Sequence, residues 1–196
     1  MPIRRLLCFL LGMWLAGGFF MAYVATQNFR GVDRLLAQPN PAAAVEIKTL
    51  GAVAARGLLR YQVSEQNRSY FQTWETAQLA GGLLFLFLIL FAANEGKLSL
   101  ALAVAMVAIV ALQHFLLTPQ IVSLGREIDF LPANVASPAR NRFWVLHGAY
   151  TGMELLKWIL GLTLAAKLCF WRRSRSPEVG QEFDLVDEAN HRHVNR

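Results

Sequence analysis

Two long runs of uncharged, mostly apolar residues constrain the fold of this chain more than any other feature. One run covers 18 residues from Thr76 to Ala93 and the other covers 20 residues from Leu98 to Leu117, with no Asp, Glu, Lys or Arg in either. As α-helices they would be roughly 27–30 Å long, which is about the thickness of the hydrocarbon core of a bilayer. Charged residues make up only 16% of the chain, against about 25% in soluble domains. We therefore expect an integral membrane protein.

The hydropathy pattern predicts four membrane-spanning helices. Arg4 and Arg5 precede a long uncharged stretch without a small-residue cleavage site, which favours a retained anchor over a cleaved signal peptide. The turn at 94–97 makes the second and third spans an antiparallel hairpin. Pro119 is expected to end the third span, because proline disfavours helical geometry in the residue before it. The expected spans are residues 6–26, 74–93, 98–117 and 143–170.

The first long loop contains a segment with helical amphipathic periodicity at residues 42–62. Its apolar face is formed by Ile47, Leu50, Ala54, Leu58 and Tyr61, and its basic face by Lys48, Arg56 and Arg60. This pattern predicts a helix lying in the membrane interface, with a solvated helix packed on the bundle ends as the alternative. The expected fold class is all-α: an integral membrane four-helix bundle (residues 1–171) with this interfacial helix, followed by a polar tail (172–196).

An even number of spans places both termini on one side of the membrane. The basic cluster Arg172, Arg173 and Arg175 directly after the fourth span favours the cytoplasmic side for them. The net charge is +6, and in a membrane protein basic residues contact anionic lipid headgroups. We therefore expect membrane lipid, and no nucleic acid, as a partner. Cys8 and Cys169 lack the spacing of a zinc or redox motif, so a purely structural role is expected for them.

Polar residues of three spans are predicted to share one depth at the loop side of the membrane. They are Glu75, Gln78, His114 and His147. Thr151 and Glu154 continue a polar stripe from His147 along the last span. Ionisable groups at such a depth are costly and normally face partners inside the bundle.

Two interpretations of this polar group remain open. His114, His147, Glu75 and Glu154 have the chemistry to hold a metal ion or haem, or to pass protons. Alternatively, Gln78, Thr151, Glu154 and Lys157 belong to a hydrogen-bond network that holds the helices together, with Lys157 paired to Glu154 three residues away. The glycine pair Gly148 and Gly152 is expected to serve packing inside the bundle.

Three short segments resemble the transmembrane protein 205 family and its bacterial relatives of unknown function. The segments are Trp-Glu-Thr-Ala-Gln-Leu at 74–79, Leu-Thr-Pro-Gln-Ile at 117–121 and Arg-Asn-Arg-Phe-Trp-Val-Leu-His-Gly at 140–148. The resemblance implies a four-helix membrane domain without established enzymatic activity, with Thr118, Pro119, His147 and Gly148 as positions of the family pattern. It also implies a bacterial inner membrane. Glu154 departs from the family, which tends to have asparagine there.

The sequence therefore predicts a non-enzymatic integral membrane protein that handles a metal ion, haem or protons through its His/Glu cluster. No nucleophile stands at a telling spacing from a base, and no glycine loop is suited to phosphate. The alternative is an accessory or scaffolding subunit of a larger membrane complex, favoured by the long extramembrane segments and by the polar tail.

Overall fold

The computed structural model describes residues 2–93, 95–132 and 135–170, and within these ranges the chain is helical apart from short connections. The predicted polar tail lies outside the described residues, as do its two histidines. Two π-helical turns lie at Leu88–Ala92 and Gln113–Leu117. The α-helices are α1 (Pro2–Ala37), α2 (Pro41–Leu50), α3 (Ala52–Phe87), α4 (Lys97–Leu112), α5 (Thr118–Ile128) and α6 (Pro138–Phe170).

Three continuous helical stretches of the described chain are long and apolar enough to cross a membrane. They are Ile3–Ala37, Ala52–Ala92 and Lys97–Ile128. The prediction of an integral membrane, all-helical protein is therefore supported. The helix predicted as the fourth span, α6, is not among these stretches. Three charged residues, Glu154, Lys157 and Lys167, interrupt its most apolar part.

The prediction that Pro119 ends the helix of the third span was wrong. The chain passes through the π-helical turn Gln113–Leu117 into α5, with Pro119 in the first turn of that helix. Proline is tolerated there because the first turn leaves its backbone N–H groups unpaired. The wider π-helical turn replaces the regular turn in which the proline ring would meet the carbonyl four residues earlier. The expected 25-residue loop is consequently helical over much of its length.

The prediction of a single amphipathic helix over residues 42–62 was also wrong, because this segment forms parts of two helices. Gly51 separates α2 from α3 and has a backbone φ of +81°, which residues other than glycine rarely adopt. Asn40 caps α2 by accepting a hydrogen bond from the N–H of Ala43 at 2.8 Å. The second half of the segment is the first part of α3, which continues without a break into the predicted second span.

The predicted first loop is mostly an extension of the two helices that flank it. Helix α1 continues to Ala37, and α3 begins at Ala52, so the two run beside each other beyond the predicted spans. Asn67 joins them: it accepts a hydrogen bond from Asn28 at 2.8 Å and donates one to the carbonyl of Ala25 at 3.2 Å. These polar contacts continue the α1–α3 interface where apolar packing becomes sparse.

The apolar core lies between α1, α3, α4 and α6. Its buried members are Leu7, Leu11, Trp14, Phe85, Ile89, Ala103, Met106, Val110, Leu164 and Leu168. Helices pack closely here because glycines face large side chains: a Cβ on Gly82 would lie 2.7 Å from the ring of Trp14, and one on Gly17 would collide with Trp74. Gly148 and Gly152 differ, since a Cβ on either would meet nothing within 4 Å. The expectation that this pair packs inside the bundle was therefore wrong for the described residues.

Candidate functional site

Glu75 is the centre of a buried hydrogen-bond group that joins four helical segments. Its side chain, on α3, has no exposed surface. Its Oε1 accepts hydrogen bonds from the hydroxyls of Thr118 at 2.6 Å and Tyr150 at 2.9 Å. On the other side of the carboxylate, Nδ1 of His114 lies within hydrogen-bond distance of Oε2, at 3.2 Å. Three side chains from three different segments therefore meet one carboxyl group.

The contact between Glu75 and His114 depends on the π-helical turn that contains His114. The turn begins at the end of α4 and leads into α5, so it positions His114 and the Thr118 hydroxyl on the same carboxylate. Such turns occur mostly as single insertions in α-helices, frequently at functional sites. The turn also carries Gln113, which is fully buried and donates to the carbonyl of Tyr150 at 3.3 Å.

A second group of polar side chains surrounds Lys157 on α6. Lys157 is only 1% exposed, and its ammonium donates to Oε1 of Gln78 at 2.6 Å and to Oε1 of Glu154 at 2.5 Å. The indole of Trp14 on α1 donates to the same oxygen of Gln78 at 2.8 Å. The buried ammonium is thereby partnered from α3 and α6, as a buried charge must be.

An open cavity of about 460 Å³ lies beside both groups, between α1, α3, α5 and α6. Glu75 and Glu154 both contribute to its lining, as does His147, whose ring stacks on that of Phe143 with centroids 5.7 Å apart. Thr151 also lines the cavity, and its hydroxyl donates to the carbonyl of His147 at 2.9 Å. The aromatic side chains in the lining are Phe29, Phe71, Trp74, Phe143, Tyr150 and Trp158.

The charged residues at the loop end of this cavity neutralise one another. Arg68 lines the cavity and makes a bidentate ion pair with Asp129, with N to O distances of 2.8 and 2.9 Å. It also pairs with Glu65 at 2.6 Å, and Glu65 in turn pairs with Arg126 at 2.9 Å. Two cations therefore meet two anions, and this cluster adds no net charge to the cavity.

Three polar atoms of this region lack a hydrogen-bond partner within the part of the chain that is described. They are Nε2 of Gln78, Oε1 of Gln113 and Nε1 of Trp158, all without contact with solvent. Trp158 lines the cavity. A Cβ placed on Gly18 would lie 3.2 Å from Nε1 of Trp158 and 3.9 Å from Oε2 of Glu154. A buried indole N–H is normally satisfied by an acceptor, so this unpaired donor is an exception within the cavity wall.

Of the four predicted metal ligands, the structure brings only Glu75 and His114 into contact. Glu154 pairs with Lys157, and His147 contacts the rings of Phe143 and Trp144. Among the described residues, no three His, Cys, Asp or Glu side chains are grouped so that they could hold a metal ion.

Sequence reasoning missed several residues of the site. Tyr150 lies one turn before Glu154 and nearly one turn after His147, so its position on their polar stripe is readable from the spacing. Thr118 was noticed only as a helix end and as a position of the family pattern. Trp14 and Trp158 gave no signal, because tryptophan is common in membrane helices whether or not its N–H has a partner.

Three long apolar helices around buried, mutually partnered polar groups define an integral membrane protein with an amphipathic internal cavity. Comparison of the chain with protein-family models, with curated proteins and with solved structures gives no match in any of the three. The resemblance of its three short segments to the transmembrane protein 205 family therefore stays a prediction.

Proposed function

We propose that this chain is a non-enzymatic membrane protein that binds a monovalent organic cation in its cavity, in exchange for a proton. The observation that carries this proposal is a charge imbalance beside the cavity. The carboxylates of Glu75 and Glu154 are accompanied by a single ammonium, that of Lys157. An uncompensated negative charge at this depth is costly.

Either of two species can restore the balance. A proton can bind the His114–Glu75 pair, because an imidazole nitrogen and a carboxylate oxygen can each accept one. A cation in the cavity can do the same, by contact with the partly exposed Glu154 and through its electric field at the buried Glu75. Since each relieves the same imbalance, binding of one opposes binding of the other. Proton handling, expected from the sequence, thereby becomes part of cation binding.

The cavity walls favour an organic cation over a small inorganic one. Six aromatic side chains line the cavity, and aromatic faces attract cations, more strongly where water is excluded. A volume of about 460 Å³ lies within the range of small-molecule sites. The residues give less support to a metal ion or haem, because Glu154 is already engaged by Lys157 and only His114 contacts Glu75.

Equilibrium dialysis of tetraphenylphosphonium against the full chain in lipid nanodiscs tests the proposal. We expect saturable binding of about one probe per chain, above the partitioning into empty nanodiscs, and release of protons in weakly buffered solution. Glu75→Gln should weaken binding at least tenfold, a loss of about 1.4 kcal/mol. The glutamine retains an oxygen acceptor for Thr118 and Tyr150, which favours folding of this variant.

Two further variants make the result specific. Gly18→Val should weaken binding without changing charge, because its side chain enters the space beside Glu154 and Trp158. Glu46→Gln is the matched control, since that carboxylate is exposed on α2 and does not line the cavity. Non-saturable uptake equal to that of empty nanodiscs, or equal affinity in Glu75→Gln and the unchanged chain, would contradict the proposal.

We also propose that α6 is the fourth span, which places both termini on the same side of the membrane. Its two central charges form an ion pair in which Lys157 is buried and Glu154 faces the cavity, which supports insertion despite its lower apolarity. A bacterial inner membrane, cytoplasmic termini and membership of the transmembrane protein 205 family complete this proposal. They rest on the basic residues beside the last span and on the three motif segments.

A second candidate function, as an accessory subunit of a membrane complex, is favoured by the open glycine face of α6. Gly148 and Gly152 are exposed, and a Cβ on either would have free space. Small residues four apart let another helix approach closely within a membrane. Copurification in mild detergent tests this function: a stable set of other subunits that is lost in Gly148→Leu/Gly152→Leu supports it, and a chain that purifies alone contradicts it.

A further inference from the structure

The two cysteines of the chain, 161 residues apart in sequence, meet in the fold. Cys8 lies near the beginning of α1 and Cys169 in the last turn of α6, and their Sγ atoms are 3.6 Å apart in a thiol–thiol hydrogen bond. The sequence suggested only a structural role for these residues, because motif spacing detects only cysteines that are close along the chain. Both are free thiols.

Polar contacts hold α1 and α6 together at the level of these thiols. One turn before Cys8, Arg4 donates a hydrogen bond to the carbonyl of Lys167 on α6 at 3.0 Å. The ammonium of Lys167 donates to the Ser99 hydroxyl of α4 at 2.8 Å. The two sulfur atoms are therefore kept as neighbours by surrounding contacts. They need to approach by only about 1.5 Å to reach the S–S bond length of about 2.05 Å.

The two thiols differ in accessibility. Cys169 is exposed, one residue before the described end of α6, whereas Cys8 is half-buried between the helices. A thiol reagent from solution therefore reaches Cys169 first, and Cys8 is the neighbour positioned to react next. This order is that of a thiol pair in which one member forms a mixed disulfide and the other resolves it.

We propose that Cys8 and Cys169 form a redox modification site, which a low-molecular-weight disulfide such as glutathione disulfide converts into a disulfide between α1 and α6. The thiolate of Cys169 attacks one sulfur of glutathione disulfide, forms a mixed disulfide and releases one glutathione thiolate. The thiolate of Cys8 then attacks Sγ of Cys169 and releases the second. The two protein thiols lose two electrons and two protons, and two molecules of glutathione carry them away.

The disulfide would constrain the helices that form two walls of the cavity. Gly18 and Met21 of α1 and Glu154 and Trp158 of α6 line the cavity. A covalent bond between the same two helices at the other end of the bundle limits how far they can separate. The oxidised protein should therefore melt at a higher temperature than the reduced one, by about 5 °C or more.

The test is titration of the reduced full chain in lipid nanodiscs with glutathione redox buffers, followed by acid quenching, thiol counting and intact-mass measurement. We expect two reactive thiols to become none, with a mass loss of about 2 Da for the two hydrogens removed. Cys8→Ser and Cys169→Ser should each give only the glutathione adduct. Retention of two thiols in oxidising buffer, or adducts without the internal disulfide, would overturn the proposal.

A matched control tests whether disulfide formation depends on the observed contact between Cys8 and Cys169 or only on general flexibility of the helices. Cys8→Ser/Phe9→Cys moves the thiol by one residue, about 100° around α1, to a position that is 63% exposed. Cys169→Ser/Phe170→Cys makes the same shift on α6, at a residue that is 86% exposed, and serves if the first variant does not fold. The unchanged chain should form the disulfide at least tenfold faster than either shifted variant. Equal rates would show that the geometry does not determine the reaction.

Discussion

Replacing Lys157 with methionine tests the polar interior of this protein most directly. Methionine keeps the length and apolar character of the stem but removes the ammonium that donates to Gln78 and Glu154. Gln78 retains its hydrogen bond from Trp14, whereas the ion pair of Glu154 is lost. The main consequence is an unpaired carboxylate inside the membrane domain.

The magnitude follows from the burial of the pair. Removing one partner of a buried ion pair costs about 3–5 kcal/mol, since the other charge stays buried and uncompensated. Glu154 is 20% exposed, towards the cavity, so water relieves part of this cost. We therefore expect Lys157→Met to lower the free energy of unfolding by about 3 kcal/mol, more than a hundredfold in the unfolding equilibrium.

Reversible unfolding in mixed micelles titrated with sodium dodecyl sulfate measures this loss. Adding Glu154→Gln to Lys157→Met should restore about half of it, because a neutral amide is less costly to bury than a carboxylate. Lys48→Met is the control: this exposed lysine on α2 should change the free energy by less than about 0.5 kcal/mol. A double variant no more stable than Lys157→Met would refute the reasoning that the two charges stabilise each other.

Three further results are expected. Arg68→Ala should lower the free energy of unfolding by about 1–3 kcal/mol, since Arg68 joins two largely buried ion pairs. Arg56→Ala removes an exposed ion pair and should cost less than about 1 kcal/mol in the same detergent titration. Equal losses in the two variants would contradict this prediction. Gly82→Leu should lower the melting temperature in detergent, because its Cβ would lie 2.7 and 2.8 Å from side chains of α1 and α4. In a Cys-free background, Ala136→Cys and Glu178→Cys should react with an impermeant maleimide from opposite sides of the membrane, and labelling from one side would reject four spans.

The sequence alone determined the class of this protein. The uncharged runs at 76–93 and 98–117 are unfavourable in water and are long enough for a bilayer, so they predict membrane helices before any contact is known. Helix ends were predicted less well. Pro119 was expected to end a helix but does not, because a π-helical turn accommodates it in the first turn of α5. Gly51 was placed inside the helix predicted at 42–62, yet it interrupts that helix.

Only the tertiary structure decided which polar residues meet. Depth along a span is readable from the sequence and correctly placed Glu75 near His114, since depth depends on residue count alone. Rotation of each helix about its axis is not readable in this way, because it results from packing at many apolar positions at once. That rotation places Tyr150 on Glu75 and Lys157 on Gln78. The pairing of Lys157 with Glu154, three residues apart on one helix, was readable from the sequence. It also brings Cys8 to Cys169, a contact between the two ends of the chain that no local pattern could indicate.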